Sequence, residues 1–336
     1  MMNAIVLAVS VAAVSFVSAD VLEPSVENEV MRALSKAPSF VPAGGTLATG
    51  AVDLVSMQKS DGRFFDGTND VTFAAVRTLR KIAGVPGPEL KISIFASHVE
   101  SIASEQGIAF DDALGKVAAL GYRGVDVYEG TPADRLQAIR RSGMEIPCVI
   151  GTPRFESAYD EDWAEGLVSY AAANRIPRIM LVPGFFTKDG DRDEELKLIA
   201  ERTERFAGTA LASGIETMVE DYDSPDSPTR DTGLLRRFFA FAPSVKLVFD
   251  TGNFAFAGES PLAADAEFSC RIAHYHLKDR PGEGTWNSVP VGSGMVPVCE
   301  LLSRAIDRGY GGWFTVEHFG VSDMLSAAGA SIGYLR

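Results

Sequence analysis

Four side chains that can bind metal lie at the ends of short apolar runs. They are Glu220 in MVEDYD, Asp250 in VFDTGN, His276 in HYHLKD and Glu317 in TVEHF. A carboxylate that ends a buried strand is costly unless it has a partner. Three carboxylates and one imidazole suit a hard or borderline divalent cation. We therefore expect Mn²⁺, Mg²⁺ or Co²⁺ in preference to Zn²⁺, which usually takes more nitrogen or sulfur ligands.

A divalent cation beside two carboxylates suggests proton transfer at carbon. When a proton leaves a carbon next to a carbonyl, a bound cation stabilises the oxyanion that develops. Two carboxylates on opposite faces of the substrate could then remove and return the proton. This chemistry would isomerise or epimerise a substrate through an enediolate.

The alternation of side chains along a strand tests whether these tips can converge. Residues two apart on a strand face the same side. If Asp250 points inward, Phe249 and Leu247 face outward, toward covering helices. An Asx turn at Asp-Thr-Gly-Asn is the alternative role for Asp250. The same rule turns Asp221 and His318 away from the metal position, so we expect structural roles for both. His274 faces the same way as His276 but lies one layer deeper, where we expect a core histidine.

The elements that position these residues alternate from residue 91 onward, which predicts parallel strands joined by helices. The predicted strands are 91–95, 124–128, 146–150, 178–182, 216–220, 245–250, 272–277 and 313–317. The predicted helices are 111–120, 133–141, 160–173, 193–212, 232–241, a short one from 262, and 298–308. Eight such units predict an α/β protein with a (β/α)₈ TIM barrel over residues 89–336. A doubly wound sheet is the alternative, but no GxGxxG or Walker pattern supports it.

The N-terminal part of the chain lacks this alternation. Residues 1–19 contain an apolar run too short to span a bilayer, followed by Val-Ser-Ala, which fits a cleaved signal peptide. If so, the protein is exported to the periplasm or secreted; otherwise it is cytoplasmic. We interpret residues 20–88 as an irregular N-terminal extension, with one amphipathic helix over 71–82.

The motifs together resemble the xylose isomerase-like TIM barrel superfamily of sugar phosphate isomerases/epimerases. The resemblance covers residues 91–320 and rests on ALGYRGVDVYEG, VEDYDSP, LVFDTGNF, HYHLKD, PVGSGMVP and GYGGWFTVEHF, in this order. It implies that Glu220, Asp250, His276 and Glu317 bind the metal. It also implies that Glu220 and Glu317 flank the substrate as the acid/base pair.

Five further residues are candidates for substrate contact. Ketose 3-epimerases of this superfamily usually have a histidine three residues after the sixth-strand aspartate, where this chain has Asn253. An amide cannot shuttle a proton, which argues against a standard free-ketose 3-epimerase. Lys278 and Arg280 could hold a substrate or lie on a solvated loop. His98 follows the first strand, and Trp286 could stack on a sugar ring or only pack its loop.

The amino-acid composition makes some classes of function less favourable. The chain has 336 residues and a formal net charge of −14, which disfavours a nucleic-acid partner. A nuclease resembling endonuclease IV would need a histidine-rich site, and the chain has four histidines. Three scattered cysteines form neither a disulfide framework nor a CxxC zinc site. A lyase or dehydratase using the same site, a non-catalytic sugar-binding barrel and a homo-oligomer stay open, and we expect no stable membrane span.

Overall fold

The computed structural model describes residues 65–66, 69–70 and 90–335. The two short segments form an antiparallel ladder that pairs Phe65 with Asp70 and Asp66 with Asn69. The predicted signal peptide over 1–19 and the predicted helix over 71–82 lie outside the described residues. The boundary at residue 89 stays a prediction.

A closed barrel of parallel strands organises the part of the chain from residue 90 onward. Its strands follow one another in sequence order, and the last pairs with the first. They are β1 Lys91–Phe95, β2 Gly124–Tyr128, β3 Val149–Gly151, β4 Arg178–Leu181, β5 Glu216–Glu220, β6 Lys246–Asp250, β7 Ile272–Leu277 and β8 Trp313–Val316. The predicted (β/α)₈ barrel is confirmed.

Helices cover the outside of this barrel. They are α1 Ala96–Gln106, α2 Phe110–Leu120, α3 Ala133–Arg141, α4 Glu161–Ala173, α5 Arg192–Ala212, α6 Thr232–Phe241, α7 Asn253–Phe256, α8 Pro261–Phe268, α9 Val298–Asp307 and α10 Met324–Leu335. Asp160, Asp191 and Asp231 cap α4, α5 and α6 by accepting backbone N–H bonds. Helices α1, α7 and α10 were not predicted from the sequence. No membrane-spanning segment was found among the described helices, none of which is both long and apolar enough.

The interior of the barrel is divided between apolar and polar side chains. On one side lies an apolar cluster from β1, from β4 to β6, and from β3 with the residue before it. Its members are Phe95, Cys148, Ile150, Met180, Met218 and Val248. On the other side lies a buried polar layer formed by Ser93, Asp126, His274 and Thr315. Thr315 is its centre, because its Oγ1 lies 2.6 Å from Ser93 Oγ, 2.8 Å from Asp126 Oδ2 and 2.6 Å from His274 Nε2.

Alternation along the strands agrees with these layers. His274 lies in the polar layer and is fully buried, as the sequence predicted. Phe249, Tyr275 and Phe314 point the other way and form a continuous aromatic row, with ring centroids 5.6 and 5.3 Å apart. A register shift between Leu247 and Val248, where β6 pairs with β7, lies just before Asp250. Such irregularities re-aim side chains near functional sites.

Candidate metal centre

The four predicted tips meet at the carboxyl end of the barrel. Glu220 and Asp250 end β5 and β6, His276 lies one residue before the end of β7, and Glu317 directly follows β8. One ligand atom from each lies within 4.8 Å of all the others. Three of the side chains are buried, and that of Glu317 is 17% exposed. We call this set the four-residue cluster.

The cluster concentrates negative charge in a buried place. His276 Nδ1 is bonded to Glu220 Oε1 and lies 3.5 Å from Glu317 Oε2. Burial lowers the pKa of His276, but Glu220, Glu317 and Asp250 outweigh it and raise the pKa to about 9. Burial also raises the pKa of Asp250 to about 6, against the opposing effect of Lys278. The cluster therefore favours a positive charge beside its carboxylates.

Lys278 is the protein's own cation in this cluster. Its Nζ lies 2.7 Å from Glu317 Oε1 and 3.1 Å from Asp250 Oδ2. It also donates to Asn253 Oδ1 at 3.1 Å. Burial opposes the charged form, yet Asp250 and Glu317 raise the lysine's pKa above its usual value. The side chain is buried, so it is not part of a solvated loop.

Asp250 uses its two oxygens differently. Its Oδ1 accepts from the backbone N–H groups of Gly252 and Asn253 at 2.7 and 3.0 Å, forming the turn that begins α7. Its Oδ2 forms an ion pair with Lys278 but accepts no hydrogen bond from residues 90–335. Asp221, predicted to be structural, accepts the Asp250 N–H at 2.7 Å. Asp250 therefore forms an Asx turn while keeping one oxygen for a cation.

Arg280 anchors the same turn. It is 1% exposed, and all five of its N–H donors have protein acceptors. Nε donates to Gly252 O, while Nη2 donates to Asp223 Oδ2 and Asn253 Oδ1. Nη1 donates to the carbonyls of Thr285 and Trp286. No donor is left over for a substrate, so this guanidinium joins the β6 turn to the loop after β7.

A close approach of two backbones makes that junction possible. A Cβ on Gly252 would lie 2.9 Å from Lys278 O. Real Cβ atoms essentially never approach a backbone atom this closely, so only glycine fits without a shift of the β7 backbone. Thr251 Oγ1 donates to Lys278 O at 2.8 Å and accepts from Lys278 N at 3.0 Å. The ends of β6 and β7 are thus held in fixed register beneath the cluster.

A cavity of about 480 Å³ opens above the cluster, and we call it the inner cavity. Glu220, His276 and Glu317 line its floor, and its walls include His98, Tyr128, Met180, Tyr222 and Phe319. His98 Nε2 accepts the His318 N–H at 2.9 Å. Burial, with help from neighbouring cations, lowers the pKa of His98 to about 3. His98 is therefore neutral and carries its proton on Nδ1.

The other predicted contacts lie outside the lining of this cavity. Asn253 is buried beneath the cluster, where its Oδ1 accepts from Lys278 and Arg280. Trp286 is 48% exposed, and its ring packs edge-on against Phe256 and Phe319, with centroids 5.7 and 5.2 Å apart. The structure thus brings His98 to the inner cavity and places Asn253 and Trp286 around it.

Sequence reasoning did not single out several residues of the site. Asp126 forms a second buried group with His274 and His276, whose possible ligand atoms lie within 4.8 Å of one another. Its signal was the same as that of Asp250, a carboxylate at an inward position in an apolar run, GVDVY. Tyr128 and Tyr222, at or just beyond strand ends, line the inner cavity. Aromatic residues at these positions carry a weaker signal, because they also occur in apolar cores.

Comparison with known proteins identifies one family for most of the barrel. The model of the xylose isomerase-like TIM barrel family matches residues 114–336. Inosose dehydratase of Bacillus thuringiensis (strain Al Hakam) is 24% identical over 246 residues, which cover 62% of this chain and 81% of the relative. Inosose dehydratase of Bacillus anthracis is 24% identical over 245 residues, which also cover 62% of this chain and 81% of the relative.

Solved structures share the fold. The probable 3-DHS dehydratase AsbF of Bacillus anthracis superposes with a TM-score of 0.60 at 17% identity, covering 73% of this chain and 98% of that one. The 3-keto-D-glucoside 4-epimerase YcjR of E. coli gives a TM-score of 0.59 at 14% identity, covering 74% and 99%.

Proposed function

Since the chain belongs to the xylose isomerase-like TIM barrel family, we propose that it is a divalent-metal-dependent isomerase or epimerase of a sugar or keto-sugar. The observation that carries this proposal is the four-residue cluster beneath an open cavity. Three carboxylates and an imidazole whose ligand atoms converge within 4.8 Å suit one octahedral cation. A nuclease, which would need a histidine-rich site and a basic surface, has less support.

The donor set fits a bound cation. Asp250 Oδ2 is buried and accepts no hydrogen bond from the described residues. Glu220, Asp250, His276 and Glu317 would hold the ion, which when bound would polarise a substrate carbonyl and stabilise negative charge on its oxygen. Mn²⁺, Mg²⁺ or Co²⁺ suits this oxygen-rich set better than Zn²⁺. His276 must lose its proton to bind a metal, so metal uptake releases protons.

The residues around the cavity have separate proposed roles in proton transfer, charge stabilisation and substrate contact. Glu220 and Glu317 both line the floor, and we assign them the removal and return of the proton on carbon. Lys278, 2.7 Å from Glu317, holds that carboxylate in place and offsets charge that develops beside it. His98 presents a neutral ring to the cavity and suits a substrate hydroxyl. Arg280 and Asn253 position the β6 turn rather than the substrate.

Dehydration is the second candidate activity. The relatives named inosose dehydratase and the structural neighbour described as a probable 3-DHS dehydratase favour it. The same proton removal next to a carbonyl begins both reactions. They differ in the next step, because a dehydratase expels a neighbouring hydroxyl after protonating it, whereas an epimerase returns the proton to carbon. Glu220 and Glu317 could serve either outcome.

Metal binding and proton exchange test the proposal. We expect the purified protein to bind Mn²⁺ or Co²⁺ with micromolar affinity or better, and Glu317→Gln and Asp250→Asn to weaken that affinity about a hundredfold. Glu267→Gln, which changes a surface carboxylate paired with Arg236, is the control. Deuterium uptake from solvent, measured by mass spectrometry over a panel of keto-sugars, reports proton transfer, and loss of water identifies a dehydratase. A protein that binds no divalent ion would refute the proposal.

A further inference from the structure

A second cavity adjoins the inner one on the catalytic face of the barrel. This outer cavity measures about 570 Å³, and Arg154, Glu156, Gly184, Phe185, Phe186 and Tyr222 are among its lining residues. It shares Thr152, Val182 and Tyr222 with the inner cavity. Each cavity by itself falls within the roughly 300–1,000 Å³ typical of small-molecule sites. A substrate of one sugar ring over the four-residue cluster therefore leaves the outer cavity unfilled.

The walls of the outer cavity are held in place before any ligand arrives. They come from the loops that follow β3, β4 and β5. Phe155 N donates to Pro183 O at 3.1 Å and joins the first two loops, while Phe186 N donates to Asp226 O at 2.7 Å and joins the last two. Thr187 N donates to Glu195 Oε2 at 3.0 Å and ties the middle loop to α5. Such preorganisation lowers the entropic cost of binding.

Phe185 presents an apolar face to this space. It is 37% exposed although the next residue, Phe186, is buried. The Phe185 ring packs against Tyr222 at a centroid distance of 5.8 Å and an interplanar angle of 61°. An exposed aromatic ring that is braced on one side offers a flat surface at low entropic cost. The C–H face of a pyranose ring is complementary to such a surface.

Glu156 supplies a polar group in the same wall. Its side chain is 9% exposed, and Oε1 accepts from Arg154 Nε at 3.0 Å. Its Oε2 is buried and has no hydrogen-bond partner in the part of the chain that the structure describes. A Cβ on Gly184, where φ is +129°, would clash with that oxygen, so glycine preserves the carboxylate's position. An acceptor carboxylate beside an aromatic ring suits a ligand rich in hydroxyl groups.

We propose that the outer cavity binds a second sugar ring, so that the substrate is a glycoside or disaccharide rather than a free monosaccharide. This inference rests on the proposed function, in which the reacting ring lies over the four-residue cluster. The glycosidic linkage would pass between the cavities at Thr152, Val182 and Tyr222. A phosphorylated sugar fits less well, because Arg154 is the one cation among the described lining residues and is already paired with Glu156.

Binding of unreacted sugars tests this inference without relying on turnover. Glucose, methyl β-D-glucopyranoside, cellobiose, maltose, sucrose and trehalose are titrated into the metal-loaded full-length protein, and affinities are measured by ligand-observed NMR. We expect at least one disaccharide to bind ten or more times as tightly as glucose, about 1.4 kcal/mol. Phe185→Ala should abolish that preference, and Phe185→Tyr should retain it.

Phe241→Ala is the matched control. Phe241 is 38% exposed, close to the exposure of Phe185, but it ends α6 at the opposite end of the barrel. The control should keep the disaccharide preference. Disaccharides that all bind no more tightly than glucose, or a Phe185→Ala variant that binds them as the control does, would overturn the inference. Neither result bears on metal binding or deuterium uptake, so a failure here is distinct from a failure of the proposed function.

Discussion

Lys278 lies where its charge would oppose the proposed metal ion. Its ammonium group lies within 3.1 Å of two of the four proposed metal ligands. A divalent ion bound by Asp250 and Glu317 would approach this positive charge, and two like charges at short range repel strongly where water is scarce. The charge of Lys278 therefore lowers the affinity for the ion, while the same charge fixes the position of Glu317.

Replacing Lys278 should change metal affinity and turnover in opposite directions. We predict that Lys278→Met binds Mn²⁺ at least about ten times as tightly as the wild type at neutral pH, because the repelling charge is gone. The same variant should lose roughly a hundredfold in turnover, because Glu317 loses its charged partner. Isothermal titration with Mn²⁺ and deuterium-exchange kinetics measure the two effects.

Lys246→Met is the control for this prediction. Lys246 begins β6, at the opposite end of the strand from Asp250, and it is half-buried. This variant should leave both metal affinity and turnover unchanged. A decrease in Mn²⁺ affinity in Lys278→Met would show instead that the lysine supports the metal site.

At the scale of elements, the long segment between β7 and α9 depends on one carboxylate. Asp279 is buried and accepts four backbone N–H bonds. Arg280 and Val296 donate to its Oδ1 at 2.8 and 3.0 Å, and Gly292 and Gly294 donate to its Oδ2, both at 2.9 Å. The side chain closes a loop whose far end lies 17 residues away. This loop also carries the carbonyls of Thr285 and Trp286 that hold Arg280.

Asp279→Asn should loosen that loop. The amide NH₂ would face two of the four N–H donors, leaving them unpaired, so we predict a loss of about 2–4 kcal/mol in the free energy of unfolding. Amide hydrogen exchange should accelerate over residues 292–296 before it does elsewhere in the barrel. Urea denaturation and exchange mass spectrometry measure these changes.

A surface aspartate provides the comparison. Asp323 accepts hydrogen bonds from Ser326 N and Oγ at the start of α10 and is exposed. Asp323→Asn should leave the free energy of unfolding nearly unchanged, because asparagine also caps a helix and this one begins at the surface. Equal losses in the two variants would mean that the loop does not depend on Asp279.

The elements and the strand tips could be predicted because their signals are local. The tips at Glu220, Asp250 and Glu317 follow from short apolar runs that each end on a carboxylate. Strand β3 was predicted at 146–150 but forms over Val149–Gly151, because Pro147 lies in the predicted range and lacks the N–H that a sheet needs. Helix α1 was missed because it follows β1 without any turn residue between them.

Hydrogen bonds between residues far apart in the sequence could not be predicted. Arg280 meets Asp223 over 57 residues, and Thr315 meets Asp126 over 189. Each of these residues carries no local signal of its partner, so the sequence left substrate contact and a solvated loop as the alternatives for Arg280. The fully paired guanidinium becomes visible once the barrel brings the ends of β5, β6 and β7 together.

At the scale of the whole molecule, buried histidines join separate parts of the barrel. His98 in α1 accepts from the backbone of His318, which follows β8. His318 Nε2 in turn lies 3.1 Å from Ser331 Oγ in α10. Burial lowers the pKa of His98 to about 3 and that of His318 to about 4. Both are neutral in the folded protein, and their protonation is linked to unfolding.

This linkage predicts a loss of stability on acidification. Between a folded pKa of about 3 and an unfolded pKa of about 6.5, the unfolded chain binds a proton that the native protein does not. Stability from His98 therefore falls as pH falls, by about 1.4 kcal/mol between pH 7.5 and about pH 5.5. His276 has a raised pKa and contributes with the opposite sign over this range. The total change thus does not isolate His98.

A matched variant isolates it. His98→Gln keeps an acceptor for the His318 N–H but does not titrate. Its free energy of unfolding, measured by urea denaturation at both pH values, should fall by about 1.4 kcal/mol less than that of the wild type on acidification. Identical pH dependences for the two proteins would show that His98 is not buried in a neutral form.

The junction at Arg280 has a consequence for altering this protein by directed evolution. Asn253 Oδ1 receives hydrogen bonds from both Lys278 and Arg280, and Gly252 admits no side chain beside Lys278. A single exchange at position 253 would remove one acceptor from each of two buried cations, so we expect it to lower stability as well as to change the site. A library that varies positions 253, 278 and 280 together also contains variants in which the lost hydrogen bonds are replaced. Changes at position 253 are therefore best sought together with changes at positions 278 and 280.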